Sequence, residues 1–90
     1  MQEKTKEVLV AERQAFAEQE VARALAFIPQ SVVDLQMFGI VLRAAAAALE
    51  QYRIASWGMP EHEARARELL VSLAQHSSDM KDQVLNNFEG

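Results

Sequence analysis

His62 and His76 are the residues of this 90-residue chain best suited to acid–base or metal chemistry, because imidazole titrates near neutral pH and ligates metals. They lie fourteen positions apart. On one helix that is ~21 Å along the axis at ~1.5 Å per residue, so one helix cannot bring both to a single ion. No Glu-x-x-His pair is present to suggest a carboxylate-bridged site in a bundle. His62 projects onto the same side as Ala66 and Leu69, which reads as a histidine capping the end of a core.

A second concentration of polar residues is Glu61, His62, Glu63, Arg65 and Arg67. Helix N-termini attract anions, but two glutamates already hold this end and the two arginines point to nearly opposite sides. A solvated, well-capped helix start is the better reading. The serines at 31, 56, 72, 77 and 78 have no His–carboxylate arrangement resembling a catalytic triad, and no Gly-rich phosphate loop is present. The expectation is a non-enzyme with no cofactor and no metal.

The elements that carry these residues are helical. Fifteen alanines, three glycines and two prolines describe a chain of high helix propensity with few interruptions. The formal charge of −4 argues against a nucleic-acid partner, which usually meets concentrated positive charge. The absence of cysteine removes disulfides and thiolate metal sites, and is consistent with a cytoplasmic protein. The opening "MQEKTKEVLVAERQ" is charged from the start, unlike a secretory leader. Asp34, Gln36 and Arg43 interrupt the longest apolar region, which argues against a membrane span.

Pro29 disfavours helix in the residue before it, so a first helix ends near residues 27–28. Ser31 with Asp34 three positions on resembles a capping box and starts a second. Gly58 suits the left-handed turn that ends it, and Pro60 with Glu61 and Glu63 suits the first turn of a third. The spacing predicts helices over 4–27, 32–56 and 60–87, one domain, all-α, a three-helix antiparallel bundle.

The third helix has one apolar seam: Ala66, Leu69, Leu70, Leu73, Ser77, Met80, Val84 and Phe88. The first has two apolar faces. Val10, Ala17, Val21, Ala24 and Ile28 form one; Leu9, Phe16 and Phe27 form the other, turned by ~100°. The middle helix is apolar nearly all round, with only Gln36, Arg43 and Glu50 making a narrow polar strip at seven-residue spacing. A helix apolar on most sides is a buried helix, and two partner helices cover roughly two of its sides. The rest would be a contiguous apolar patch that monomers rarely expose. The economical answer is a second copy of the chain, giving a homodimeric helical bundle. Its interface is expected at Phe38, Val41, Ala45, Ala48, Leu49 and Tyr52. If the polar strip lies across the two-fold axis, Arg43 sets register, as a buried polar residue does in a coiled coil.

These observations describe a helical protein-interaction module: a regulator, inhibitor or chaperone-like adaptor working as a homo-oligomer with an unidentified protein partner. The surfaces expected to serve it are Leu9, Phe16 and Phe27, the corner Trp57–Met59, and Val71 and Leu85 on the back of the third helix. Tryptophan and methionine at a rigid corner are frequent anchors. The alternative is a small-molecule-binding bundle or accessory enzyme subunit, with a ligand between copies reached by Arg43 or Tyr52.

Overall fold

The computed structural model describes residues 5–89, with side chains for 5–87. Three α-helices follow one another: α1 Lys6–Ala26, α2 Val32–Ala55 and α3 Pro60–Glu89. No strand occurs among the described residues. The chain is an all-α helical bundle.

Four boundaries have a local cause. Thr5 Oγ1 accepts from Val8 N at 3.2 Å and caps α1. Ser31 Oγ accepts from Asp34 N at 3.2 Å and caps α2. The Asp34 carboxylate acts one residue further out than a capping box requires: its Oδ2 accepts from Gln30 N at 2.9 Å, so the amide just before the cap is satisfied. Gly58 takes φ 79° after α2, a backbone angle that costs any side chain with a Cβ. The Gly58 N–H donates to Glu63 Oε1 at 2.8 Å, so the first turn of α3 ties down the corner. Pro60 is the first residue of α3, where its missing N–H has no helical partner to lose.

The run of contacts gives the topology. The ammonium of Lys6 donates to the Trp57 carbonyl at 2.6 Å, and Phe27 stacks on Phe38 with ring centroids 5.5 Å apart. So α1 and α2 are antiparallel. Tyr52 meets His62 and Phe38 meets His76, which makes α2 and α3 antiparallel as well. α1 packs most extensively on α2. Ala17 and Ala24 of α1 and Ala45 and Ala48 of α2 are buried in the core. Small side chains let the backbones approach, and an alanine loses no rotamer freedom on burial. Val10, Val21, Leu49, Leu69 and Leu73 supply the bulk, each stabilising by ~1.5–3 kcal/mol when fully buried.

Two residues leave the faces expected of them. Leu70 is exposed, because the buried α3 seam runs through Ala66, Leu69, Leu73 and Val84 and leaves Leu70 to one side. Ile28 is exposed too: α1 ends at Ala26, so helical periodicity no longer aims the side chain inward. α2 is continuous through Gly39. The Phe88 side chain lies outside the described residues.

The bundle is flattened. Its principal extents are 58 × 26 × 15 Å and its radius of gyration is 15.5 Å, against ~12 Å for a compact domain of this length. α2 is also long and apolar enough, by length and composition, to cross a membrane.

Candidate interaction surface

Both histidines serve the interior. The Tyr52 hydroxyl lies 2.8 Å from His62 Nδ1, with the rings edge to face at 5.8 Å. This is the core-capping histidine anticipated from its position. His76 donates from Nε2 to the Phe27 carbonyl at 3.0 Å, since a carbonyl only accepts, and its ring meets Phe38 edge-on. Thus His76 closes the open end of α1 across the bundle. Arg65 reaches from α3 to Glu18 on α1 at 2.6 Å. The Arg65 guanidinium holds the Glu18 carboxyl below its ordinary range. Burial, with the Glu18 charge nearby, pushes the Tyr52 phenol up. No group of three or more metal-ligating side chains occurs among the described residues.

The residues expected at a dimer interface divide. Phe38, Ala45, Ala48, Leu49 and Tyr52 are buried within the single chain and Val41 is half-buried. α1 and α3 cover this side of α2, so these six are core rather than free surface. The periodicity that makes them one face is the same whether a neighbour helix belongs to this chain or to another, which is why the sequence did not separate the cases.

The expected partner-binding residues divide as well. Phe16, Val71 and Leu85 are exposed. Leu9 is half-buried, and Phe27 is drawn onto Phe38, so the second face of α1 shrinks to Phe16. At the corner Trp57 is 77 % exposed, whereas Met59 packs against the core. Trp57 and Leu70 stand over a groove between α2 and α3 of about 360 Å³, floored by Ala46, Leu49 and Ala66. Glu50, Arg53 and Arg67 rim it. Neither Arg43 nor Tyr52 lines this groove, so it is a different place from the site between copies considered from the sequence.

The apolar side left over on α2 was not assigned residues from the sequence. Val33, Met37, Ile40 and Ile54 are exposed large side chains on α2, with Val33 at 66 % and Ile40 at 62 %. Ala44, Ala47 and Gln51 are exposed between them. The seven recur at alternating four- and three-residue steps, 33, 37, 40, 44, 47, 51 and 54. That is the a/d spacing of a coiled-coil seam, running the length of the helix and left exposed by the other described residues. The signal was legible as a heptad pattern, but a second, buried heptad pattern on the same helix hid it. Arg43 and Glu50 flank the exposed seam on one side. Glu50 is held by Arg53, one turn on. Arg43 has no hydrogen bond or ion pair among the described residues.

No protein-family model, no curated protein and no solved structure matches this chain.

Proposed function

We propose that this protein is a non-enzymatic helical interaction module that works as a homo-oligomer. The observation that carries the reading is the exposed seam of α2. Val33, Met37, Ile40 and Ile54, with Ala44 and Ala47 between them, make an exposed stripe interrupted only by Gln51, and exposed apolar surface of this kind marks interaction sites. The overall surface supports it. The chain exposes 6309 Å², whereas a folded monomer of 10.1 kDa exposes ~5,300 Å². The difference of ~1,000 Å² is the order of what one partner contributes to a standard interface. His62, His76 and Arg65, which could have suggested chemistry, are engaged in holding helix to helix.

Light scattering during size exclusion tests this reading. The native chain is expected above its monomer mass, and Ile40→Asp is expected at the monomer mass with its helical circular dichroism intact. A native chain that remains a 10.1 kDa monomer at high micromolar concentration ends the oligomer reading.

The groove under Trp57 favours a second reading, a small-molecule-binding bundle. Its volume falls in the range of ligand sites. A ligand at ~100 times its dissociation constant would stabilise the fold by ~2.7 kcal/mol, which a thermal-shift screen detects. Silence across nucleotides, fatty acids and aromatic acids would remove it.

A further inference from the structure

We infer that α2 pairs with α2 of a second copy in antiparallel orientation, about a two-fold axis that crosses the helix between Ala45 and Ala46. This deepens the self-association reading above and rests on it.

The seam itself restricts the geometry. In an antiparallel coiled coil each a position meets a d position of the partner. With the axis between Ala45 and Ala46, Ala44 faces the partner subunit's Ala47, and Met37 faces the partner subunit's Ile54. The small residues lie at the centre, where the helices approach most closely, and the large ones lie toward the ends. The seam positions from 37 to 54 fall within the overlap of the two helices, and Val33 lies just beyond it, against the corner that follows α2 in the other copy.

Charge then selects the register. Arg43 and Glu50 both occupy the position just before an a residue, on the same edge of the seam. In the antiparallel register described, Arg43 comes beside the partner subunit's Glu50. The two-fold axis repeats the contact, so there are two such pairs. Sliding one helix by seven residues one way sets Arg43 on the partner subunit's Arg43. Sliding it the other way sets Glu50 on the partner subunit's Glu50. A parallel pair places Arg43 beside the partner subunit's Ala48 and leaves both charges without a complement. One arrangement of the four is self-complementary, and like-charge contact penalises two of the others. Arg43 is free to take this contact among the described residues, and Glu50 is half-exposed even with Arg53 beside it. Antiparallel helices also bring opposite ends of their dipoles together.

Sedimentation of the full-length chain and two charge reversals tests the geometry. Arg43→Glu and Glu50→Arg should each keep native helicity and each weaken self-association about tenfold, by turning both cross-copy attractions into repulsions. An equimolar mixture of the two variants should associate as the native chain does. In the mixed dimer one copy is acidic at both positions and the other basic at both, so every cross-copy contact is again between opposite charges. The double variant R43E/E50R should also self-associate normally. If the native chain dimerises but both reversals leave its affinity unchanged, or the mixture and the double variant fail to recover, the antiparallel register is wrong while self-association stands. If the native chain never dimerises, both readings fall together.

Discussion

Tyr52 and His62 face each other across the α2–α3 contact, hydroxyl to imidazole at 2.8 Å. The tyrosine is fully buried. Its hydroxyl therefore depends on a single side chain from another helix. Tyr52→Phe removes the bond and strands a ring nitrogen, and is expected to destabilise the fold by ~1–2 kcal/mol. His62→Ala in the same background should then cost little more. Urea denaturation of the two single variants and the double variant measures the coupling directly.

The same tyrosine sets an alkaline limit. Its folded pKa is raised above its ordinary value, first by burial and then by the Glu18 charge. A raised pKa means the unfolded chain releases the proton more readily. The stabilisation is therefore complete below the unfolded tyrosine's pKa and is lost as pH rises through the folded one. Phenolate absorbance should appear later than for free tyrosine and coincide with loss of helicity. Phenolate formed at the ordinary pH, with helicity unchanged, would show the hydroxyl open to water.

On the acid side the group that matters is Glu18. Arg65 holds its carboxyl below the usual range. A depressed pKa stabilises the fold above the unfolded value, and the contribution vanishes as pH falls through the folded one. Both partners are more than a third exposed, so the effect is modest, ~0.2–1 kcal/mol. Glu18→Gln should lower stability near neutral pH, with the gap to the native chain closing in acid. A gap that persists at low pH would assign the loss to packing instead.

Gly39 offers a gain. It lies inside α2, its φ is not positive, and a Cβ there would meet nothing within 4 Å. Gly39→Ala should stabilise the protein by ~0.5–1 kcal/mol, from helix propensity alone. It lies off the exposed seam, so association should not change. A lower melting temperature would mean that the glycine is needed for an approach not present in the single chain.

Core and surface alternate within the alanine run. Ala45 is fully buried, whereas Ala46 faces the groove beneath Trp57. Ala45→Leu is expected to cost ~1–3 kcal/mol through overpacking between helices, and Ala46→Leu much less. Leu73→Ala, at a buried α3 position, should cost ~2–5 kcal/mol. Thermal unfolding of the three variants gives the order; a larger loss at Ala46 than at Ala45 would reverse the assigned face.

The three helices were legible because their causes are local. Pro29, Ser31 with Asp34, Gly58 and Pro60 act within a turn of where they stand, and each does in the fold what its chemistry dictates. The placement of His62 followed as well, since its position relative to Ala66 and Leu69 depends only on helical pitch. Phe27 did not follow. It lies beyond the last helical residue, where periodicity ends and the stacking partner Phe38 decides the direction.

The sequence by itself determined that the chain is helical, where its two breaks fall to within a residue or two (α1 starts at Lys6 rather than at residue 4, and α3 runs to Glu89 rather than 87), and that α2 is apolar on more sides than two neighbours cover. Only the tertiary structure decided which of its two heptad stripes is spent on α1 and α3 and which stays in the open. Phe38, Ala45, Ala48 and Tyr52 carry one stripe, and Val33, Met37, Ile40 and Ile54 carry the other. Helical pitch assigns both to faces with equal clarity. The choice between them belongs to contacts between residues far apart in the chain, such as Glu18 with Arg65 and His76 with the Phe27 carbonyl, and no pattern local to α2 encodes it.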